Sequence, residues 1–295
     1  MNYIASCFYA IPLGIRYMVM SAIGFSLMGM FVKLTHAQGI PVLEIVAARA
    51  LISAVISFVD IKRKGILLLG QRRGLLFLRG TVGAFALMCV FYALVNIPFA
   101  DATVLQYLHP MFTAVLAILF LRERLHRSTL TCIALSFVGL IVVVRPDFLF
   151  GSFTVQYAPI AIIAAILGAF GSAVGYVLVR KLNATEDPSV IIFYFPIIAL
   201  PLSLLLLGKD IVMPQGWSWL FLLLVGMTTQ LGQVGLTKAM QTETASKATS
   251  FSYLQVAFAA LLGWWVFSEI PTVWTFVGGG LILLGAFINV VWKEK

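Results

Sequence analysis

The pattern Ala102-Thr103, Tyr107-Leu108 and Glu123 recurs as Ala248-Thr249, Tyr253-Leu254 and Glu269, every member displaced by one offset (269 − 123 = 146). A repeat of that period means that one supersecondary unit has been used twice and that the fold must house both copies. The expected units are 1–147 and 148–295.

Composition decides the solvent. Charged residues are 11% and hydrophobic residues 61% of the 295, against about 25% charge in a soluble domain. About ten apolar runs follow one another at 15–35, 41–60, 75–95, 99–121, 128–145, 157–179, 189–207, 217–237, 246–267 and 273–292. Each is close to the ~20 residues that cross a hydrocarbon core of ~30 Å. A backbone in lipid has to satisfy its own hydrogen bonds, and these runs lack the alternation of barrel strands, so each reads as a helix. The fold expected is an all-α integral membrane protein with ten transmembrane helices in two five-helix repeats.

Five is odd, so the second copy enters the membrane upside down. The charges agree: Arg122-Glu123-Arg124 falls in an inner loop, whereas its counterpart Ser268-Glu269-Ile270 falls in an outer one and carries no arginine. The offset continues downstream, where Leu135, Val138 and Gly139 meet Leu281, Leu284 and Gly285. It weakens in the early helices, where Ser26 and Gly29 pair with Ser172 and Gly175 but Arg49 meets Phe195.

The formal charge of +9 does not indicate nucleic acid, because the cations are dispersed over short loops rather than gathered in a stripe. Lys62, Arg63, Lys64, Arg72, Arg73, Arg122, Arg124, Arg127, Arg180, Lys181, Lys238 and Lys247 share one side, whereas the other keeps only Lys33, Arg145 and Lys209. The positive-inside rule therefore puts both termini in the cytoplasm of a multi-pass cell (inner) membrane protein. The first fourteen residues lack the basic region of a cleaved signal, so the first helix is expected to stay as the anchor. Cys7, Cys89 and Cys132 are too few and too apolar in context for a disulfide framework or a metal site. Gly208-Lys209-Asp210 lacks the leading glycine and the Ser/Thr of a phosphate loop, so no nucleotide cofactor is expected.

Arg79-Gly80, Phe91-Tyr92-Ala93-Leu94, Pro98, Ala100 through Pro110 and Leu121-Arg122-Glu123-Arg124-Leu125, with Ser136-Phe137-Val138-Gly139 and Arg145-Pro146, resemble the EamA family of the drug/metabolite transporter superfamily. The resemblance covers nearly the whole chain. It implies ten helices, two inverted halves, a central cavity and movement of a small organic solute such as an amino acid, vitamin or nucleoside-like metabolite. Alternating access, one half rocking against the other, is the mechanism expected of such repeats. A lipid-modifying membrane enzyme and a passive channel are the rival readings, and the scattered His36, His109 and His126 argue against the enzyme.

Candidate solute contacts are the polar residues in these helices. Arg49 sits inside the second run, where a charge costs roughly 2.5–3.5 kcal/mol on insertion scales and so needs a partner or a wet cavity. Gln106, His109 and Thr113 share one face of the fourth run and Thr103, Tyr107 and Pro110 the adjoining one. Pro110 removes a backbone donor and frees carbonyls nearby. The ninth run repeats the theme with Ser252, Tyr253 and Gln255. Gln230 and Gln233 in the eighth, Tyr176 and Ser172 in the sixth, Tyr92 in the third and Ser26 in the first complete the set. Any of them also serves as packing glue, and His109 is a candidate proton carrier. Asp101 is either a helix cap or half of a gate with Lys33 or Arg145, and Glu123 and Glu269 read as structural anchors. Gly139, Gly278, Gly279, Gly280 and Gly285 offer smooth faces, either for a homodimer seam or for packing within one chain.

Overall fold

The computed structural model describes residues 12–96, 99–144, 159–268 and 272–292. Among these residues the regular structure is helical throughout: α1 Leu13–His36, α2 Val42–Lys64, α3 Arg73–Asn96, α4 Phe99–Gln106, α5 His109–Leu116, α6 Arg127–Val144, α7 Pro159–Leu182, α8 Pro188–Leu207, α9 Ser218–Thr242, α10 Ala245–Ser250, α11 Leu254–Phe267 and α12 Val273–Val291. Ten of the resulting spans are long and apolar enough to cross a membrane. Apolar side chains such as Phe120, Leu205 and Trp265 stand outward from the bundle, as lipid-facing residues do. The expected boundary at 147/148 lies outside the described residues.

Most sequence boundaries hold to within two residues. The clear departures are α2 and α9, which run on to Lys64 and Thr242, past the expected ends at 60 and 237. Apolarity stops at the edge of the lipid, but a helix continues for as long as its backbone bonds do, and these two carry Lys62, Arg63, Lys64 and Lys238 beyond the edge. The fourth and ninth runs are not single helices. The fourth breaks between α4 and α5 and ends in a π-helical turn at Ala117–Leu121. The ninth is interrupted by a 3-10 turn at Phe251–Tyr253.

The duplication is visible in the helix starts. Leu13 and Pro159 differ by 146, and so do Val42 and Pro188, Phe99 and Ala245, and Arg127 and Val273. Irregularities repeat too. Arg122 (φ 53°) ends the fourth run and Ser268 (φ 55°) ends the ninth in the same left-handed conformation, 146 residues apart.

Contacts obey the same relation, and they run mainly between the halves rather than within them. α1 packs on α9 as α7 packs on α3, α2 packs on α8, and α6 packs on α12. Small residues permit this: a methyl at Gly24 would sit 2.6 Å from the Gly232 nitrogen, so α1 and α9 meet backbone to backbone. A methyl at Gly139 would sit 2.5 Å from the Gly278 carbonyl, and one at Gly285 would sit 3.1 Å from the Cys132 carbonyl. Gly139, Gly278 and Gly285 are thus used inside one chain, whereas Gly279 and Gly280 have open space above them.

Side-chain ties at the two ends confirm the up-and-down order. At the basic end Lys64 Nζ reaches Asp60 at 2.8 Å and Asp187 at 3.1 Å, joining the end of α2 to the start of α8. Glu123 pairs with Arg180 at 3.2 Å and accepts the Ala245 N–H at 2.9 Å, while Arg180 donates to the Met240 carbonyl at 2.6 Å. Glu123 is therefore the anchor the sequence suggested, binding α7, α9 and α10 together; Glu269 lies outside the described residues. At the other end Glu44 accepts the Val212 N–H at 2.9 Å and Ser218 donates to Gln38. Five exposed tryptophans, Trp217, Trp219, Trp264, Trp265 and Trp274, gather at that end, as an interfacial aromatic belt does.

Candidate functional site

A cavity of about 210 Å³ lies where the broken spans cross the middle of the bundle. The break makes one wall of it. Pro110 has no N–H, and the Met111 N–H turns back to Leu108 O at 3.0 Å, so the Tyr107 carbonyl loses its helical donor. The hydroxyl of Tyr253 supplies the replacement, donating to Tyr107 O at 2.9 Å, with the two rings stacked at 5.6 Å. These tyrosines are repeat partners, so the bond lies on the pseudo-two-fold axis.

Other partners meet around the same axis. Arg49 and Phe195 both line the cavity, as do Leu87 and Gln233, Gln106 and Ser252, and His109 and Gln255. Val90 and Leu236 form a fifth such pair. The axis therefore passes through the cavity.

Of the candidate contacts, Arg49, Tyr107, His109, Tyr176, Gln233 and Gln255 line this space, and Ser172 joins them. His109 lies edge-on to Tyr176 at 5.1 Å and beside Tyr107 at 5.7 Å, and its Nδ1 is buried without a hydrogen-bond partner among the described residues. Gln233 and Gln255 are one hydrogen-bonding amide each on the opposite wall. Arg49 is only 8% exposed; its guanidinium contacts Met28 Sδ at 3.6 Å and lies 5.9 Å from the Phe195 ring.

Other candidates stand elsewhere. Tyr253 is 0% exposed and acts through Tyr107 rather than facing the cavity. Gln230 is spent on two serines of α2: it accepts from Ser53 Oγ at 2.5 Å and donates to Ser57 Oγ at 2.9 Å. Tyr92 is 46% exposed near the end of α3 and away from the lining. Ser26 also turns from the cavity and donates to the carbonyls of Ala22 and Gln255. Lys33 lies 4.3 Å over the Phe267 ring at the tryptophan-rich end. Asp101 is the third residue of α4, but its side chain, like Arg145, lies outside the described residues.

Arg79 is the lining residue that reasoning on polar stripes passed over. It is 6% exposed, it lines the cavity, and its guanidinium lies 5.6 Å from the centre of the Phe195 ring already approached by Arg49. It falls inside the third apolar run, 75–95, but the sequence singles it out only as part of the Arg79-Gly80 resemblance to the EamA family. The signal was there in Arg79-Gly80 and Gly83, an arginine followed by small residues inside an apolar run. No metal-binding cluster of His, Cys, Asp or Glu occurs among the described residues.

Ten spanning helices, an inverted repeat and a polar cavity on its axis define an integral-membrane transporter of the inverted-repeat class. The EamA-like transporter family model matches twice, over residues 12–145 and again over 159–291, and the chain belongs to that family. Relatives bear transporter names. The pseudopaline exporter CntI of Pseudomonas aeruginosa is 34% identical over 272 residues, covering 92% of this chain and 93% of that protein. Human solute carrier family 35 member G1 is 32% identical over 293 residues, covering 96% and 80%. The riboflavin transporter of Vibrio cholerae is 25% identical over 290 residues, covering 96% and 94%. A solved crystal structure shares the fold with a TM-score of 0.76 at 20% identity, covering 92% of this chain and 96% of the other.

Proposed function

We propose that the chain is a secondary transporter that moves a small polar organic solute, of the size of an amino acid, vitamin or nucleoside-like metabolite, across the cell (inner) membrane by alternating access. The carrying observation is the cavity lined by five pairs of repeat partners. An inverted repeat offers two ways of packing the same helices, related by its pseudo-two-fold axis and each open to one side, and a site on the axis is common to both. A volume of about 210 Å³ is below the ~300–1,000 Å³ of pockets for drug-sized ligands, which favours a small metabolite. Relatives named for pseudopaline and riboflavin support an organic solute.

The halves 1–147 and 148–295 are the units of descent in this reading, but not the units of motion. With α1 held by α9 and α3 by α7, each moving bundle takes helices from both halves. Lys33 and Asp101 belong to the face opposite the basic loops, where they form a gate. The basic end and both termini face the cytoplasm under the positive-inside rule.

The test is counterflow in liposomes containing the purified full-length chain. Saturable exchange of a labelled solute against an unlabelled pool is expected, with altered affinity in His109→Ala. Linear, non-saturable flux would make the protein a channel and sink the carrier reading.

A further inference from the structure

Arg49 and Arg79 are both more than nine-tenths buried, and neither has a carboxylate partner among the described residues. The described lining of the cavity contains no Asp or Glu at all. Arginine does not shed its proton, and an uncompensated buried ion is costly, so two guanidiniums that no described carboxylate neutralises make the cavity a favourable place for an anion.

The arrangement around Arg79 is built to hold a guanidinium in place. Its head lies against Gly83, where a methyl would collide with it, and 3.9 Å from where a methyl on Gly175 would stand. Gly83 thus clears the space for the head, while Gly175 on α7 lies at ordinary packing distance from it. Its Nε is buried with no hydrogen-bond partner. Arg49 and Arg79 flank one ring, that of Phe195, at 5.9 and 5.6 Å.

We infer that Arg49 and Arg79 form a two-point anion site across Phe195, and that the transported solute is an organic acid whose carboxylates each take one guanidinium. Resting on the transporter reading above, this names its substrate class. A guanidinium offers carboxylates a planar, two-toothed grip that a lysine cannot copy. The neutral amides of Gln106, Gln233 and Gln255 and the hydroxyl of Ser172 face the remainder of the solute.

Two experiments on the purified full-length chain test it. The first needs no knowledge of the solute: Phe195→Glu tethers a carboxylate between the two guanidiniums and is expected to raise the melting temperature of the empty protein above that of Phe195→Gln. A glutamate variant that melts at or below the glutamine variant overturns the anion site. The second compares acids with their amides, succinate with succinamide and glutarate with glutaramide, with citrate and glutamate added, by thermal shift and counterflow. The acids are expected to stabilise the parent and the amides not, and Arg79→Gln and Arg49→Gln are expected to weaken acid binding by at least roughly tenfold, with Arg79→Lys intermediate. Equal stabilisation by acids and amides, or counterflow of neutral solutes only, overturns the inference while the carrier survives. No counterflow of any solute overturns the carrier reading.

Discussion

At the five positions where the repeat lines the cavity from both sides, the first half presents Arg49, Leu87, Val90, Gln106 and His109, and the second presents Phe195, Gln233, Leu236, Ser252 and Gln255. The backbones correspond, yet at no pair is the side chain the same. The first wall holds the cations and the imidazole. The second wall holds an aromatic ring and amides. Duplication supplied a symmetric enclosure, and substitution then made it polar in one direction, which is what orienting an asymmetric solute requires. Where the halves did keep the same residue, at Tyr107 and Tyr253, the pair serves structure: each ring packs on the other and one hydroxyl repairs the other's broken backbone.

The contrast between the walls can be broken most forcefully by placing a cation on the wrong side. Phe195→Arg sets a third guanidinium beside Arg49 and Arg79, and a loss of about 3 kcal/mol is expected as a large fall in melting temperature and membrane yield. An unchanged melting temperature would mean that the second wall tolerates charge as well as the first.

The tyrosine pair comes next. Tyr253→Phe leaves the buried Tyr107 carbonyl without its donor and should cost about 1–3 kcal/mol. Tyr107→Phe leaves that backbone bond intact, so it should affect solute affinity more than stability. Equal losses in both variants, read as melting temperatures, would show that the tyrosines are interchangeable after all.

Gln230 and Gln233 sharpen the comparison within one helix. Gln230→Leu breaks the bonds to Ser53 and Ser57 and should lower stability by about 1–2 kcal/mol with transport retained. Gln233→Leu should do the reverse, reducing solute affinity at an unchanged melting temperature.

The smallest effect concerns helix starts. α2 is preceded by Pro41, which offers no side-chain cap, whereas the repeat partner of Pro41, Asp187, caps α8 by accepting the Ser189 N–H at 2.8 Å. Partial burial pushes the Asp187 carboxyl up, but the Ser189 N–H and the Lys64 ammonium outweigh it and hold it below its ordinary value. Because the folded value is the lower one, this stabilisation is present above the unfolded pKa of about 3.9 and is lost as pH falls through the folded one. Asp187→Ala should therefore cost about 1 kcal/mol at neutral pH, and the difference from the parent should begin to shrink in melts below about pH 4 and vanish only once the pH is below the depressed folded value.

Much of this was readable in the chain because lipid leaves a backbone few options. Apolar runs gave ten spans, and the single offset of 146 gave the inverted repeat that helix starts and contacts display. Arg49, Tyr107, His109, Tyr176, Gln233 and Gln255 face the cavity because a polar group in a spanning helix has few uses. The exceptions show what the pattern omits. Gln230 and Gln233 are one turn apart and look alike in sequence, yet one meets Ser53 and Ser57 while the other meets open space. Only the packing of α9 on α2 separates them. Arg79 was missed for a different reason: it stands alone early in α3, outside any polar stripe, and only the packing of its head against Gly83 shows that it is seated in the core.

The interlocking of the halves has a consequence for biosynthesis. α1 finds its main partner in α9, whose first residue, Ser218, emerges from the ribosome about 200 residues later, a wait of about 10–40 s at ordinary elongation rates. Throughout that interval the early helices sit in the bilayer with their glycine faces uncovered, so the insertion machinery or a chaperone has to shield them. A nascent chain stalled before α9 would be a target for membrane quality control rather than a half-built carrier.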